Sequence, residues 1–504
     1  MHKKVLLIIC DGMGYREEKE HNAIAQANTP NLDSYYKNYP WALLGASGED
    51  IGLPAGQMGT SEANHLVMGS GRIIYQNLLK INKHIQSGEL ANNPAIREAL
   101  EHVKKYKSTL HIKGMASPGG VHGHVDHLKA LIKIAKDAGV KKVQIHLFTD
   151  GRDTPPKSAL DYVKELEKFI AAEGLGRIAS IGGRYWGMDR DNNTERIEKH
   201  FFLLTKASGP KFKTARSAIE ASYENEKGDE FIEPSLIAET SDEATLIAPN
   251  DAVIFANFRS DRARQLARKF LEEKIPNLKY VTMTRYDDDY DSLDVRVAFP
   301  PETIDNCLSE TLSRAGKKQL KITETEKFAH LTFYFNAQKY EAFAGEDRVL
   351  IDSNKDVAYH DEKPEMKIFD IAEKLVKELR SNKYDFIATN FVNCDMVGHT
   401  GNMPAIIRGI EAIDKAIGKT IEAAEEAGWD VVITADHGNA EETFDPAINQ
   451  PITSHTLNPV PFILISAERE KLKKKRALLS DVAPTILKIM GIPKPKEMTG
   501  KSLI

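Results

Sequence analysis

Cysteine is scarce: Cys10, Cys307 and Cys394 are the only ones in 504 residues. Three scattered thiols cannot build a disulfide framework, which points to a reducing compartment. Long hydrophobic runs are missing as well. The N-terminal run Val5 to Cys10 covers six residues and ends at Asp11-Gly12 without a small-residue cleavage site. It therefore reads as a buried first strand rather than a secretory leader. No stretch approaches the roughly 18 apolar residues of a membrane span. One-sided charge is absent too, because 68 Lys and Arg against 73 Asp and Glu leave a net −5. That balance excludes nucleic-acid binding through overall basicity, while leaving room for local basic pockets. There is no Walker A loop and no G-x-G-x-x-G after a strand, so nucleotide cofactors have no support. A soluble, cytoplasmic protein without repeats or low-complexity segments is expected.

What is present is a well-mixed globular composition, 41% apolar and 28% charged, on a length suited to two to four domains. Short apolar runs at 4–10, 109–115, 142–149, 177–182, 252–256, 278–284, 384–391, 429–435 and 460–465 read as strands. Helical patterns lie between them near 124–138, 156–173, 260–273, 364–382, 404–427 and 478–491. This alternation predicts an α/β fold, with parallel sheets and helices on both faces. Boundaries are expected at Gly71 to Asn82 and around Pro300-Pro301. The acidic loop Asp287 to Asp291 lacks the glycine and spaced glutamate of an EF-hand loop and reads as a solvated turn. The basic run Lys471 to Arg476 reads as an exposed helix surface.

The most informative pattern is where Asp and His fall. Asp11 follows the first strand, Asp395 and His399 follow 384–391, Asp436-His437 follows 429–435, and His455 precedes the last strand. One Asp after a strand is ordinarily a turn or a helix N-cap. Several converging at the carboxyl ends of strands, where α/β sheets bind ligands, make a pair of metal sites. Mixed carboxylate and imidazole donors suit manganese, zinc or similar divalent ions. Ser61, in Gly56-Gln57-Met58-Gly59-Thr60-Ser61-Glu62, stands before a helical pattern and alone reads as a helix N-cap. A helix N-terminus also favours phosphate, and a bound metal can turn a serine hydroxyl into a nucleophile.

A second set is rich in arginine. Arg152-Asp153 follows strand 142–149, Arg184 and Arg190 follow 177–182, and Arg259 and Arg262 follow 252–256. Guanidinium groups match phosphate and carboxylate bidentately, so this set suits a small dianion. The metal candidates lie at 11–61 and 395–455, whereas the arginines lie at 152–262. One domain interrupted by another, with the site in the cleft between them, is the simplest topology. A rival signature is His122-Gly123-His124-Val125-Asp126-His127, similar to the dinuclear-zinc motif of metallo-β-lactamase-type hydrolases. Its further ligands would have to come from His146 and His200, which fall inside a strand and a helix, and it would leave Asp11, Asp395, His399, Asp436 and His437 unexplained.

Linked motifs then identify a family. Asp11-Gly12, Gly56 to Glu62, Asp150-Gly151-Arg152-Asp153-Thr154-Pro155-Pro156, Gly182-Gly183-Arg184-Tyr185, Asn257-Phe258-Arg259, Glu324-Thr325-Glu326-Lys327, Asp395-Met396-Val397-Gly398-His399 and Ala435 to Glu441 resemble the cofactor-independent phosphoglycerate mutases of the alkaline-phosphatase superfamily. The resemblance runs in order to Asn458-Pro459-Val460-Pro461. It implies an alkaline-phosphatase-like domain with a parallel-rich sheet at 1–75 and 305–504, interrupted by a second α/β domain, a substrate-binding transferase, at 76–304. It further implies interconversion of 3- and 2-phosphoglycerate through a phosphoserine, without 2,3-bisphosphoglycerate; the alternative is a metal-dependent phosphomonoester hydrolase of the same superfamily.

By the same resemblance, one divalent ion, Mn2+ before Mg2+, Co2+ or Zn2+, is held by Asp395, His399 and His455. The other is held by Asp11, Ser61, Asp436 and His437. His122, Arg152, Asp153, Arg184, Arg190, Arg259, Arg262 and Lys327 match substrate positions, with Ser61, Asp153 and Lys327 catalytic. A monomer whose domains close about hinges near 71–82 and 300–310 is expected, with no nucleic-acid or membrane partner. Several positions depart from the family pattern: Met13 for Trp, Thr60 for Asn, Ala63-Asn64 for Val-Gly, Ser117-Pro118 for Ser-Asp and Cys394 for Pro. The segment Asn336 to Tyr340 lacks the usual Gly-Gly.

Overall fold

In a computed structural model, residues 3–238, 246–468 and 470–504 are described. The chain divides into two compact units, Met1–Gln76 with Thr303–Ile504, and Asn77–Glu302. Each is built on a sheet of eight strands.

The sheet of the first unit runs Glu346–Ile351, Gln319–Glu324, Phe386–Phe391, Lys4–Cys10, Trp429–Thr434, Val460–Ile465, Trp41–Gly45 and Arg476–Leu478. Val5 to Cys10 is an unbroken apolar run because this strand is central: every residue after Lys4 is buried, with parallel neighbours on both sides. Val460–Ile465 is antiparallel to both of its neighbours, so the sheet is parallel-rich rather than wholly parallel. The helix Met403–Glu426 covers it with a stripe that includes Ile406, Ile410, Ile413 and Ile417, at helical spacing. Its start is set by Asn402, whose side chain accepts from Ala405 N, and by a proline in the first turn.

In the second unit the order is Val295–Phe299, Lys279–Thr284, Ala252–Phe255, Leu110–Met115, Val143–Thr149, Arg177–Gly183, Ser235–Ile237 and Lys211–Phe212. From Leu110–Met115 the chain winds outward on one side and later returns to wind outward on the other. The ends of Leu110–Met115 and Ala252–Phe255 therefore form a topological switch point, where such sheets open a ligand crevice. Separate apolar clusters cover the two faces of this sheet.

The strands expected from apolar runs are all present, with ends shifted by a residue or two. Three local readings are corrected. Lys471 to Arg476 is not helical; it is an irregular segment entering the edge strand Arg476–Leu478. The helix expected over 478–491 is shorter, Val482–Ile489, because the strand Arg476–Leu478 and a 3-10 turn at Leu479–Asp481 precede it and a glycine and a proline soon follow it. Ser61 is not the N-cap of its helix. Thr60 is, accepting from Ala63 N, while Ser61 occupies the first helical position. The loop at Asp287 contains a 3-10 turn in which Asp288 and Asp289 are exposed and Asp287 pairs with Arg268 at 2.6 Å; the side chain of Asp291 lies outside what is described. No helix among the described residues is long and apolar enough to cross a membrane.

Candidate active site

Three adjacent strands of the first sheet deliver the acidic groups. Lys4–Cys10 lies between Phe386–Phe391 and Trp429–Thr434, and their carboxyl ends carry Asp11, Asp395 and Asp436. Gly12 keeps Asp11 and Asp395 close: its φ is +75°, and a Cβ there would stand 2.6 Å from Asp395 N. The three carboxylates are almost wholly buried. Among them lies the Lys327 ammonium, 2.7 Å from both Asp11 Oδ1 and Asp395 Oδ2. Burial opposes its charge, but the carboxylates of Asp11, Asp395 and Asp436 prevail and raise its pKa.

Ser61 faces this group. Its Oγ is 2.6 Å from Lys327 Nζ, 2.9 Å from His437 Nε2 and 3.4 Å from Asp11 Oδ1. Because Thr60 supplies the cap, the Ser61 hydroxyl is free for these contacts. On the other side, Asp395 Oδ1 is 3.1 Å from both His399 Nε2 and His455 Nε2. His399 Nδ1 donates to the Thr453 carbonyl at 2.6 Å and His455 Nδ1 to that of Gly59 at 2.7 Å. Protons on both Nδ1 atoms leave both Nε2 lone pairs for a ligand.

These residues fit divalent cations. Three buried carboxylates face one ammonium, and Asp436 Oδ2 is buried without a hydrogen-bond partner, which is costly unless a cation meets it. Burial, and next the Asp436 charge, raise the Asp11 pKa, the mark of uncompensated like charge. Donor atoms of Asp395, His399 and His455 lie within 4.8 Å of one another, as do those of Asp11, Asp395 and His437, and those of Asp11, His65 and Asp436. His65 is the unexpected member. Both its ring nitrogens are already engaged, with Ser61 O at 2.8 Å and Asn390 Nδ2 at 3.1 Å.

The second unit gathers the arginine set at the carboxyl end of its own sheet. Arg184 is buried and donates through Nη1 to Asp150 and Asp153, each at 2.6 Å. Asp261 faces three candidates: Arg259 Nε at 3.2 Å, Arg190 Nη1 at 3.4 Å and His122 Nδ1 at 3.5 Å. Arg152 Nε lies 3.4 Å from Glu230. Burial lowers the Arg262 pKa, and the charges of Arg184, Arg190 and Arg152 lower it further, so these cations lie close together. Buried Nε groups of Arg184 and Arg262 lack partners, and an anion would satisfy them. The His122 pKa falls to about 4 through burial and the nearby Arg184, which keeps the ring neutral.

Sequence reasoning overlooked Asp261, His65 and Asn390, and quoted Asp150 and Glu441 only as members of motifs, without a role. Glu441 is fully buried and accepts from Gly14 N at 3.1 Å and Asn439 N at 2.9 Å, tying the first and third acidic loops together. Asn390, on the strand that leads to Asp395, was the one most open to detection, as a polar residue in an apolar run. The His122 motif does not assemble as a metal site among the described residues. His124 caps its helix by accepting from Asp126 N, and His127 contacts Asn82 at 2.9 Å.

Residues 81–288 match a family described as the BPG-independent PGAM N-terminus, and residues 279–481 match type I phosphodiesterase / nucleotide pyrophosphatase. A 2,3-bisphosphoglycerate-independent phosphoglycerate mutase of Clostridium botulinum is 47% identical over 509 residues, covering 100% of this chain and 99% of the relative. The chain belongs to the 2,3-bisphosphoglycerate-independent phosphoglycerate mutase family. A member from Methanosarcina acetivorans is 48% identical over 513 residues, with 100% and 98% covered. The solved structure of Leishmania mexicana phosphoglycerate mutase at low cobalt concentration is similar at 30% identity and a TM-score of 0.55, covering 100% of this chain and 98% of that one.

Proposed function

We propose that this chain interconverts 3-phosphoglycerate and 2-phosphoglycerate, in glycolysis and gluconeogenesis, through a phosphoserine at Ser61 and without 2,3-bisphosphoglycerate. The observation that carries this reading is the position of Ser61 Oγ, 2.6 Å from Lys327 Nζ and beside a buried, cation-poor cluster of carboxylates. Asp395, His399 and His455 would hold one divalent ion, and Asp11, Ser61, Asp436 and His437 the other. Manganese is the first choice, since mixed carboxylate and imidazole donors suit it. When bound, the ions supply the charge that lowers the Ser61 hydroxyl pKa and neutralises phosphoryl oxygens.

The chain's own residues do the rest. Arg184, Arg190, Arg259 and Arg262 bind the substrate's carboxylate and phosphate bidentately. Ser61 Oγ, its proton released to solvent beforehand, forms a bond to phosphorus as the substrate's P–O bond breaks. Lys327 stabilises the charge carried by the transferring group. The departing oxygen takes a proton from Asp153, and glycerate is retained by Arg152, Asp153 and neutral His122. After glycerate reorients, its other hydroxyl returns a proton to Asp153 and attacks phosphorus, and the Ser61–phosphorus bond breaks. The reading assigns metal chemistry to 1–75 and 305–504 and glycerate retention to 76–304. A cytoplasmic monomer completes the reading.

Phosphorus NMR of the metal-stripped chain given 3-phosphoglycerate and Mn2+, with no bisphosphoglycerate, tests it. A metal-dependent 2-phosphoglycerate signal with little free phosphate is expected. Free phosphate alone would replace this reading with a hydrolase.

A further inference from the structure

Two residues outside the proposed ligand and substrate sets brace the Asp11 side of the site. His65 lies one turn after Ser61 in the helix Ser61–Ser70 and is completely buried. Its Nδ1 is 2.8 Å from the Ser61 carbonyl oxygen, its nearest acceptor, so that nitrogen carries the proton. Nε2 is then a lone pair, and it faces Asn390 Nδ2 at 3.1 Å. The same Asn390 nitrogen donates to Asp11 Oδ2 at 2.7 Å. An amide NH2 has two hydrogens, and here each has one acceptor. Flipping that amide would set its oxygen against both a carboxylate and a lone pair, so the direction of every bond from Ser61 to Asp11 is determined.

The consequence falls on Asp11. With Oδ2 taken by Asn390, only Oδ1 is left facing the site, 2.7 Å from Lys327 Nζ, 3.4 Å from Ser61 Oγ and 3.6 Å from His437 Nε2. Asp436 is treated alike: its Oδ1 accepts from Gly12 N and His437 N, leaving Oδ2 without a hydrogen bond, 3.3 Å from His437 Nε2 and 3.5 Å from His65 Nδ1. The Asp395–His399–His455 group has no contact with either His65 or Asn390. Its orientation comes from Thr453 and Gly59 carbonyls.

We infer that His65 and Asn390 are positioning residues that hold Asp11 as a one-oxygen ligand in line with Ser61, so that the affinity of the Asp11 metal group alone depends on them. This rests on the two-metal reading above. Groups that orient a ligand ordinarily set affinity by about 10–100-fold.

The test is Mn2+ titration of the metal-stripped full chain, followed by the electron paramagnetic resonance of free Mn2+. The unaltered chain should bind two ions, and His399→Ala should weaken one of them, identifying that class. Asn390→Ala and His65→Asn should weaken the other class by about 10–100-fold and leave the first unchanged. His65→Gln, whose Oε1 can take the Nε2 position, should retain more affinity than His65→Asn. Unchanged affinity of both classes, or an equal fall in both, overturns the inference; an equal fall would mark a general structural role. If the unaltered chain binds fewer than two ions, the metal reading itself fails.

Discussion

Around Ser61 the balance of charge is set by four side chains, Asp11, Asp395 and Asp436 against Lys327. A buried ammonium held between carboxylates stays protonated, so it can serve Ser61 and a phosphoryl group at neutral pH. Lys327→Met should therefore lower kcat by at least about 100-fold, the scale of losing one preorganised charge at a reacting centre. Steady-state assays at saturating metal would check it, and a change confined to KM would contradict the role. The three aspartates were legible because carboxylates at strand ends stand out against apolar runs, whereas Lys327 entered only through the family resemblance, the strand before it being unread. His65 and Asn390 were not legible, because each sits inside a buried element and acts through a neighbour.

Glu324 ends the strand Gln319–Glu324 and begins the turn that carries Lys327. Burial lifts its pKa to about 6, despite hydrogen bonds from Ser353 and Lys367 N. A carboxyl raised in the folded state favours folding below its unfolded pKa, and that contribution is lost as pH rises through 6. Glu324→Gln should thus gain stability relative to the parent between pH 4.5 and 7, by about 2 kcal/mol. Melting temperatures across that range measure the gap, and a gap that widens toward acid would contradict it.

At the scale of elements, the turn after the helix carrying Lys327 carries a backbone cost. Ala337 and Gln338 have φ of 58° and 62°, in the segment where the family resemblance leads to an expectation of Gly-Gly. An L-residue in this left-handed region costs about 1–2 kcal/mol. Gln338 is exposed, so Gln338→Gly should stabilise the protein by about 1 kcal/mol, after the entropy glycine adds to the unfolded chain. Urea unfolding reads this directly; a loss of stability would mean that the glutamine side chain matters more than its backbone.

Strands buried on both faces were the most legible elements, because burial on both sides demands an unbroken apolar run, as in Val143–Thr149 and Val460–Ile465. Gln319–Glu324 was hidden by Lys321. That residue is completely buried, with Nζ donating to Ser309 Oγ at 2.8 Å and Asn336 Oδ1 at 2.9 Å. Glu346–Ile351 was hidden by its edge position, where only one residue needs full burial. Its pattern is too polar to read as a strand.

For the whole molecule, the two units carry opposite electrostatic problems. The first buries more carboxylate than it can neutralise, and the second gathers guanidinium groups with unpartnered buried N–H. On the proposed reading each is completed by something the chain does not itself supply, divalent cations in one and a phosphorylated carboxylic acid in the other. The sequence separated these sets by position alone, whereas joining three strand ends at one point needed the sheet order. Chelation should abolish turnover and lower the melting temperature, with both restored by Mn2+; ligand at 100 times its Kd adds about 2.7 kcal/mol. Full activity after exhaustive chelation would contradict the metal reading.

The most direct test is rapid quenching of the enzyme with 3-phosphoglycerate labelled at phosphorus, followed by mass spectrometry of the labelled peptide. The account predicts phosphate on Ser61 that forms and decays at the rate of turnover, and neither label nor product in Ser61→Ala. Turnover by Ser61→Ala, or label on another residue, would contradict it.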